Sequence, residues 1–582
     1  MQILLERDGR DRARVTWIGA DREGGGDRGG IGGDQGERTA VLPLAELPAL
    51  VAAEEGAAEE GAAERPRWVW DDTRAWYPAL LRAGVRVERC VDLRLCHAIL
   101  RNSTLTAGTA LATAAPGPWD TALDLLEEPA AGHTAHTALF ELDQPEPPAL
   151  DDRRDSRSEL FAQEAAVAAS TDPRRLRLLL AAESAGALIG VELQHAGLPY
   201  SADRHDDLLT ELLGPRPTFG RPPVLEELAR DVRARLDSPD LNPDSPPDVL
   251  KALQRAGVMA TSTRSWELRK LEHPVIEPLL RYKKLSRLLT ANGWTWLDAW
   301  VHDGRFRPDY VPGGVVTGRW ATRGGGALQL PRQVRGAVVA DPGWKLVVAD
   351  AAQLEPRVLT GLSGDQAMAA AGRGKDLYEG IVASGAVDER AHAKVAMLGA
   401  MYGATTGESG RLMPRLTRAF PRAIRLVEDA ARAGERGEKV TSRLGRSSPL
   451  PGPAWDAAQS AASASDSTAA DERRARSQAR DWGRFTRNFV VQASAAEWAL
   501  CWMAELRNRL TALAPGTALT ESPHLVYFLH DEVIVHTPAD RADEVAAAVH
   551  ASAAQAGRLL FGAFPVEFPV TAAIVDSYGE AK

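Results

Sequence analysis

Cysteine is scarce in this sequence, and the histidines form no metal-binding pattern. Only three cysteines occur in 582 residues (Cys90, Cys96 and Cys501), and their spacing fits no metal site. The histidines are scattered, without a pair at the spacing of a zinc site. These absences exclude a disulfide-stabilised secreted domain and a zinc module. We expect the three thiols to be reduced and at least partly buried.

Long apolar runs are also missing. The N-terminus, Met1 to Asp8, has too short an apolar run and too early an acid for a secretory signal. No run approaches the ~20 apolar residues of a membrane-spanning helix. We therefore expect a cytoplasmic protein that does not enter a membrane.

Positively charged residues are fewer than negatively charged ones. Lysine and arginine number 69 against 79 aspartates and glutamates, which gives a net charge of −10. This balance is unusual for a protein that holds a phosphate backbone, but binding depends on local patches rather than on the total. Arginine is concentrated between residues 411 and 487. For most arginines of the 411–432 run, the simplest interpretation is a solvated helix face.

The tripeptide His530-Asp531-Glu532 interrupts an apolar stretch, residues 526–535, rich in Val, Ile, Tyr and Phe. This composition predicts two strands with the polar triplet at the tip of the hairpin between them. Adjacent carboxylates at such a tip favour a cation, and a divalent metal for phosphoryl transfer fits. Taken alone, however, the triplet favours a turn whose acids are solvated over a metal site.

A second buried-strand pattern covers residues 345–349 and ends in Asp350. An acid at the end of a hydrophobic strand lies at the edge of a sheet, where it can bind a metal. Asp350 and Asp531 could therefore hold two cations about 3.5–4 Å apart, the spacing that serves in-line attack on phosphorus. The pattern continues into a predicted helix with Gln353, Glu355 and Arg357.

A third element places Arg390, Lys394, Leu398 and Tyr402 at every fourth position. On a helix this spacing produces one stripe about 18 Å long. Its cationic end lies at the helix N-terminus, where the backbone also favours anions. The order of the stripe matches the order triphosphate, sugar, base. A solvated cationic face is the alternative for a helix that stands alone.

Taken in order, these three elements resemble motifs A, B and C of the DNA polymerase I family (family A). The resemblance covers roughly residues 185–582, because further segments are similar to signatures of the same family. These segments are Thr317-Gly318-Arg319 with Leu328-Gln329, Arg484-x3-Asn488-x3-Gln492, Thr441-x2-Leu444-Gly445-Arg446, and the thumb-side stretches 242–246, 261–263 and 282–285.

The resemblance implies a template-directed DNA polymerase that acts on primer-template DNA and dNTPs with two Mg²⁺ ions, or with Mn²⁺. Asp350 and Asp531 would bind both metals, with Glu532 nearby as a secondary acid. One metal would lower the pKa of the primer 3′-OH, and the other would hold the triphosphate. Arg390 and Lys394 would bind the triphosphate, and Lys394 could protonate the leaving group.

The remaining implied roles concern the sugar, the base pair and the duplex. Glu355 would be the steric gate against a ribose 2′-OH. Tyr402 would border the nascent base pair, and His530 would support the primer terminus. The other residues expected at the nucleotide are Gln353 and Leu398, and those expected on the DNA are Thr317, Arg319, Arg484, Asn488 and Gln492.

Three departures from the family pattern bear on activity. Ala351-Ala352 follows Asp350 where the family has Tyr-Ser. Pro356 is tolerable only if it lies in the first turn of a helix. Leu398 occupies a position that is usually aromatic, so the ring that packs on the sugar is lost. We expect retained activity with altered sugar discrimination and easier ribonucleotide entry.

Residues before about 180 contain glycine-rich and Ala/Glu-rich stretches around strand patterns at 14–19 and 68–70. Family relatives carry a 3′–5′ exonuclease domain here, on an RNase H-like sheet with four metal-binding acids. Asp71, Asp72 and Asp92 resemble its second motif. Of the first motif only Asp21 and Glu23 are found, past the predicted strand. The third motif, near residues 161–165, lacks its tyrosine and aspartate.

We therefore predict an exonuclease-like domain that no longer proofreads, because hydrolysis fails without the ligands that hold the ions. The alternative is an active 3′–5′ exonuclease that uses Asp71 or Asp72 with Asp21 and Glu23. The sequence leaves no room upstream for the 5′ nuclease domain of long bacterial relatives.

Two further alternatives concern the polymerase region itself. A DNA-binding relative without chemistry would have no need of Asp350, Lys394 and Asp531. An RNA polymerase or reverse transcriptase of this family is disfavoured by Glu355, although Leu398 leaves that alternative open.

The predicted fold class is α+β, a right-hand polymerase preceded by an RNase H-like α/β domain. We expect a monomer. The expected domains are 1–180 (exonuclease-like) and 181–582 (polymerase), the latter with a thumb at about 185–300, a palm at about 301–362 and 495–582, and fingers at about 363–490. Within the fingers, the Ala/Ser-rich residues 451–470 are predicted to form a flexible insertion.

Overall fold

The computed structural model describes residues 1–19, 37–59, 65–120, 154–324, 326, 330–403 and 407–581. Contacts divide the chain into two units. The first comprises Met1–Ala196, Tyr310–Ala321 and Ala349–Ala572, and the second comprises Gly197–Asp309, Thr322–Val348 and Ala573–Lys582. The predicted boundaries of exonuclease-like domain, thumb, palm and fingers stay predictions.

The first unit begins with an α/β domain. Its strands are β1 (Gln2–Arg7), β2 (Arg12–Ile18), β3 (Glu37–Pro43), β4 (Arg67–Trp70) and β5 (Cys90–Asp92). Its helices are α1 (Leu47–Glu59), α2 (Thr73–Arg82), α3 (Leu93–Asn102), α4 (Ala110–Thr113), α5 (Ser156–Ala168) and α6 (Pro173–Ala196).

These strands form one mixed sheet in the order β3-β2-β1-β4-β5. β1, β2 and β3 pair antiparallel, whereas β4 is parallel to β1 and β5 is parallel to β4. Side chains alternate along β1, so Ile3 and Leu5 belong to one hydrophobic core and Leu4 belongs to another. Both strands predicted in this region, at 14–19 and 68–70, are present.

The second unit is mainly helical. Its elements are β6 (Leu198–Pro199), α7 (Ala202–Leu213), α8 (Pro223–Arg235), α9 (Pro246–Arg255), α10 (Ser265–Leu268), α11 (Ile276–Asn292), α12 (Trp294–Trp300), β7 (Val301–His302) and β8 (Arg305–Phe306). In the thumb-side signature at 242–246, Asp244 connects three side chains. Asp244 accepts hydrogen bonds from Tyr282 Oη (2.7 Å), Ser286 Oγ (3.0 Å) and Arg221 (2.6 Å).

The chain continues through two short strands, β9 (Asp309–Val311) and β10 (Ala321–Arg323), into the region of the predicted palm and fingers. The elements there are β11 (Trp344–Ala351), α13 (Leu354–Ser363), α14 (Gln366–Gly372), α15 (Leu377–Ala383), α16 (Arg390–Tyr402), α17 (Gly407–Ala419), α18 (Pro421–Glu435), α19 (Pro453–Ser463), α20 (Ala469–Leu513), β12 (His524–Leu529), β13 (Glu532–Pro538), α21 (Ala542–Phe561) and β14 (Val570–Val575).

A four-stranded sheet of order β12-β13-β11-β14 carries the three predicted strands of this region. β12 and β13 form the predicted hairpin, with Leu529 paired to Glu532 next to its tip. β11 lies beside β13, so the acid that ends one strand and the acids of the hairpin tip share an edge of one sheet.

α20 is the longest element, with 45 residues and a length of about 68 Å. It starts with a capping box, in which Thr468 and Asp471 satisfy each other's backbone N–H groups. From Phe489 to Met503 it is continuously buried, and the pair Trp498 and Trp502 is core packing (ring centroids 5.3 Å apart).

The prediction of a flexible insertion at residues 451–470 is wrong. Most of this stretch is helix α19, which packs on α20 and donates a hydrogen bond from Gln459 Nε2 to the Ala475 carbonyl (3.0 Å). Pro453 at the first helical turn and the many alanines favour a helix. An Ala/Ser-rich composition therefore indicated helix propensity here rather than a linker.

Two expectations from the composition concern the cysteines and membrane-spanning helices. Cys90, Cys96 and Cys501 are buried free thiols. No helix among the residues described is long and apolar enough to span a bilayer.

Candidate active site

Asp350 and Asp531 are brought together by the backbone. The Ala351 N–H, at the end of β11, donates to the Asp531 carbonyl (2.8 Å), and the Asp531 N–H donates to the Leu529 carbonyl (2.6 Å) in a tight turn. His530 takes a left-handed conformation (φ 54°) within that turn. These bonds fix the two carboxylates beside each other at the sheet edge.

The electrostatics of this pair favour a cation. Burial, the nearby Asp350 carboxylate and Glu532 together raise the pKa of Asp531 to about 6. Glu532 begins β13 and is itself buried. Like charges this close repel each other in a partly desolvated site, and a divalent cation between oxygen ligands relieves the repulsion. The donor set therefore fits Mg²⁺ or Mn²⁺.

The residues after Asp350 turn the chain into α13. Gln353 precedes the helix in a left-handed conformation (φ 50°), and Pro356 is its third residue. A proline in the first turn removes no intrahelical hydrogen bond. Pro356 therefore lies in the first turn, the part of a helix where it is tolerated. The Gln353 side chain donates to Asp376 (2.7 Å) and accepts from the Leu377 N–H (3.2 Å).

Glu355 joins three predicted motifs. Its carboxylate forms an ion pair with Arg319 and accepts a hydrogen bond from the Tyr402 hydroxyl (2.8 Å). Gln492 Nε2 lies 3.5 Å from the same hydroxyl. One network thus connects the 310–321 segment, α13, α16 and α20, and it holds Glu355 in a defined position.

This network borders an open cleft. Asp531 lies at the same cleft as Arg319 and Glu355, so the acid pair and the network belong to one site. The cleft is lined by Gly318, Arg319, Trp320, Leu354, Glu355, Ala495, Ala496, Ala499, Leu500, Phe528, His530 and Asp531.

Several residues that line the cleft or are predicted to bind DNA carry a buried polar atom without a hydrogen-bond partner. Among the described residues they include Thr317 Oγ1, Trp320 Nε1, Asn488 Oδ1, Gln492 Oε1 and His530 Nδ1. Burial, with a smaller effect of Arg319, lowers the pKa of His530 to about 4, so its imidazole is neutral near pH 7. Unpaired buried polar atoms cost free energy, and their presence here favours a binding function.

α16 presents the predicted stripe. Arg390, Lys394 and Tyr402 are exposed and Leu398 is half-buried, while Ala393, Ala396, Met397 and Ala400 form the buried face of the helix. Arg390 is engaged within the protein. It donates to Asp376 Oδ2 (2.8 Å) and lies over the Tyr378 ring (5.5 Å).

Asp376 is a residue that the sequence reasoning missed. It accepts from both Gln353 and Arg390, so it links the chain after Asp350 to the cationic end of α16. Its only local signal is a helix-capping position before Leu377, which many structural aspartates share. Trp320 and Phe528, which pack edge to face at 5.0 Å beside the cleft, were missed as well.

Arg484 and the last predicted DNA residues lie on α20. Arg484 forms an ion pair with Asp481, and its aliphatic part packs against Gly403 at the end of α16. Asn488 and Gln492 follow at four-residue intervals on the same face. Leu328 and Gln329, and likewise Asp21 and Glu23, lie outside the described residues.

The acids of the N-terminal domain have protein partners. Asp71 accepts from Trp76 Nε1 (2.7 Å), and Asp72 caps α2. Asp72 also lies 2.9 Å from Arg94 Nε, and Arg94 and Arg74 hold its pKa below the usual range although burial opposes them. Asp92 accepts from the Thr73 N–H and hydroxyl (both 2.8 Å).

Comparison with known proteins places these features in a family. A family model described as "DNA polymerase family A" matches residues 225–580. DNA polymerase I, thermostable, of Thermus filiformis is 27% identical over 348 residues, which are 54% of this chain and 37% of that protein. DNA polymerase I of Chloroflexus aurantiacus is 27% identical over 328 residues, 51% of this chain and 32% of that protein. The chain thus spans well under half the length of these relatives.

A solved structure extends the similarity to the whole chain. The POL domain of Pol1 from M. smegmatis, in complex with DNA primer-template and dNTP, has a TM-score of 0.62 and 17% identity. The alignment covers 100% of this chain and 95% of that chain. At this identity the likeness concerns the fold, and the predicted α+β right-hand fold is confirmed.

Proposed function

The chain belongs to DNA polymerase family A, and on that premise we propose that it is a template-directed DNA polymerase. It adds deoxynucleotides to the 3′-OH of a primer. The observation that carries the proposal is the pairing of Asp350 with Asp531, which lines the same cleft as Arg319 and Glu355. A binding module has no use for two adjacent carboxylates that repel each other.

Asp350 and Asp531 are the residues that would hold two Mg²⁺ ions, with Mn²⁺ as a substitute. The raised pKa of Asp531 supports this assignment, because a cation offsets the repulsion that raises it. Bound there, the metals supply a lower pKa for the primer hydroxyl and neutralise charge on the departing pyrophosphate. Glu532, buried at the start of β13, is the secondary acid of the site.

The triphosphate binds to the cationic end of α16. Lys394 is exposed there, and Arg390 is held one helical turn away by Asp376. Arg390 must exchange this partner for phosphate oxygens, which offer the same charge-assisted hydrogen bonds. Gln353 supports the exchange by holding Asp376 through its own amide (2.7 Å). Lys394 then donates the proton that the leaving pyrophosphate takes up.

Sugar selection depends on Glu355. Arg319 and Tyr402 fix its carboxylate from two sides, so the side chain occupies the position where a 2′-OH would otherwise be accommodated. Leu398 is the weak point of this selection, because an aliphatic side chain cannot stack on the sugar. The enzyme therefore discriminates against ribonucleotides by one contact rather than two.

The duplex is read through its minor groove. Arg319, Asn488 and Gln492 carry N–H donors for this groove, and those of Arg319 and Gln492 contact other site residues, while His530 supports the primer terminus. Purine N3 and pyrimidine O2 acceptors lie at similar positions in every correct pair, so these contacts test shape rather than sequence. Thr317 and Arg484 extend the contact along the primer-template.

The N-terminal domain serves as a structural platform without 3′–5′ exonuclease activity. In the described part of this domain, the acids of the second motif bind Arg94, Trp76 and helix N–H groups. This pairing supports the loss of a metal site. The second candidate function, a bifunctional enzyme, would require Asp71 or Asp72 to release these partners. We further propose that the protein acts as a cytoplasmic monomer on primer-template DNA.

Primer extension tests the proposal. With Mg²⁺ and the four dNTPs, the protein should extend a labelled primer on a longer template, and Asp531→Asn, which keeps the side-chain shape, should abolish extension. Asp543→Asn makes the same change at an exposed position on α21 and should have no effect. Equal extension by wild type and Asp531→Asn would overturn the proposal.

A further inference from the structure

A buried ion pair lies next to the 310–321 segment, which carries Thr317 and Arg319. Arg446 donates to Glu183 Oε2 (2.6 Å), and Glu183 is only 1% exposed. Glu183 lies on α6, 263 residues away from Arg446 in the sequence. Neither side chain lines the cleft, and the proposed chemistry uses neither.

Both partners touch the backbone of that segment at glycines. A Cβ on Gly313 would lie 2.5 Å from Glu183 Oε1, and a Cβ on Gly318 would overlap the Arg446 guanidinium. Both glycines have positive φ (63° and 82°). Only glycine allows the charged groups to lie this close to a backbone in this conformation. The ion pair therefore supports the segment directly behind Arg319.

The ends of the segment are anchored separately. Tyr310 Oη donates to the Phe528 carbonyl (3.0 Å) and accepts from the Phe528 N–H (3.2 Å). Trp320 packs edge to face on the same phenylalanine (5.0 Å). Between these anchors, the segment has an internal turn in which the Gly318 N–H donates to the Val315 carbonyl (2.7 Å). Its middle is thus left to Glu183 and Arg446.

Arg446 is in turn held by its own backbone. It belongs to the 441–447 turn, in which Gly445 O accepts from Ser103 Oγ (2.6 Å) and Ser447 Oγ accepts from the Thr104 N–H (2.9 Å). Arg175 donates to the Ser442 carbonyl (3.0 Å) from the start of α6. The N-terminal domain therefore fixes both members of the ion pair.

We infer that Glu183 and Arg446 are positioning residues, which set Arg319 against the minor groove of the primer-template and so make extension sensitive to correct pairing. This inference rests on the proposed polymerase function. It also gives the N-terminal domain a task that needs no nuclease chemistry. Loss of the pair should misplace Arg319 and weaken the contact that Arg319 makes.

The test compares two glutamates of the same helix. Glu183→Gln removes the charge behind the segment. Glu192→Gln is the matched control, because Glu192 is equally buried on α6 and pairs with Arg507 (2.7 Å), away from the segment. We expect Glu183→Gln to lower kcat/KM for extension of a matched primer roughly tenfold or more and to reduce the preference over a mismatched primer. Glu192→Gln should change neither once the folded fraction is equal.

Combination with Arg319→Ala separates positioning from general destabilisation. If Glu183 acts through Arg319, the double variant Glu183→Gln/Arg319→Ala should be little worse than Arg319→Ala alone. Fully additive losses would overturn the inference. Arg446→Lys, which keeps the charge but not the fork, should fall between wild type and Glu183→Gln.

Amide hydrogen exchange supplies a readout that does not depend on activity. Glu183→Gln should speed exchange at Val315 and Gly318, and Glu192→Gln should not. Unchanged exchange at both amides would refute positioning even if the wild type extends primers. Faster exchange in a protein that extends no primer would keep positioning and reject the polymerase proposal.

Discussion

The two acid clusters of this chain use the same side chains in different ways. In the N-terminal domain, Asp72 lies 2.9 Å from Arg94 Nε, and Asp92 accepts hydrogen bonds from Thr73 and the Leu95 N–H. Groups of the protein itself satisfy these acids. At the β12–β13 turn, Asp531 lines an open cleft, and Asp350 of the adjacent strand β11 lies close enough to raise its pKa.

A raised pKa alone does not separate the two clusters. Burial raises the pKa of Asp92 to about 6, and the same effect with Asp350 nearby raises that of Asp531 to about 6. The difference is access. Asp92 is fully buried and its oxygens are occupied, whereas Asp531 lines the cleft. A metal site thus needs carboxylates that repel each other and that a metal ion can reach from the cleft.

The largest expected effect comes from removing an acid in each cluster. Asp350→Ala should lower the rate of primer extension about 10³-fold or more, because metal stabilisation of the transition state supplies several kcal/mol. Asp72→Ala should leave extension within about twofold of wild type, measured at equal folded fraction. Comparable losses in the two variants would erase the distinction between the clusters.

The next largest effect distinguishes the arginines that pair with acids in the two regions. Arg94→Ala leaves the half-buried Asp72 with Arg74 as its remaining cation, so the free energy of unfolding should fall by about 2 kcal/mol with little change in kcat. Arg390→Ala removes an exposed cation from Asp376, so stability should hold while kcat/KM for dNTPs falls roughly 100-fold.

Denaturant titration and steady-state kinetics on the same two preparations decide this prediction. If Arg390→Ala unfolds as readily as Arg94→Ala, then Arg390 is a structural residue like Arg94. The exchange of Asp376 for phosphate would then have no basis.

A buried carboxyl outside both clusters calibrates the effect of burial alone. Burial raises the pKa of Glu497 to about 7, only partly offset by hydrogen bonds from Ser442 and the Leu444 N–H. Its folded pKa exceeds the unfolded value of 4.5, so the folded protein holds this proton more tightly. Its contribution to stability should be largest below about pH 4.5 and decline as pH rises to about 7.

Glu497→Gln mimics the protonated carboxyl and should remove that part of the pH dependence, roughly 2–3 kcal/mol between pH 5 and 8. Urea unfolding at several pH values measures it. Glu505→Gln changes a partly exposed glutamate of the same helix and should keep the wild-type slope. An unchanged slope in Glu497→Gln would mean that this carboxyl titrates normally.

The smallest expected effect concerns sugar selection at the cleft. Leu398→Phe should restore a ring against the sugar and raise the preference for dNTPs over rNTPs by about fivefold, on the order of 1 kcal/mol. Incorporation ratios from competing dNTP and rNTP pools provide the measurement. A ratio equal to that of the wild type would leave Glu355 as the sole determinant.

Local patterns predicted much of this site. The hairpin around Asp531, the strand ending at Asp350 and the helix from Arg390 to Tyr402 follow from residue types within a few positions of each other. The meeting of Asp350 and Asp531 on one sheet was predictable because a metal site requires it. The role of each site residue remains a prediction.

Contacts between residues that are far apart in the sequence could not be predicted. Nothing near Glu183 indicates Arg446, and nothing near Arg390 indicates that Asp376 would hold it. Such pairs depend on how helices pack, which no single segment encodes. The helix at 453–463 was missed for a different reason, since a low-complexity composition was given more weight than the helix propensity of alanine.

One assay addresses the contrast between the clusters directly. A 5′-labelled primer on a longer template is incubated with the protein and Mg²⁺, with and without the four dNTPs. The account predicts extension when dNTPs are present and a primer of unchanged length when they are absent. Shortening of the primer without dNTPs that survives Asp531→Ala would contradict it, because the N-terminal acids would then hold metal ions after all.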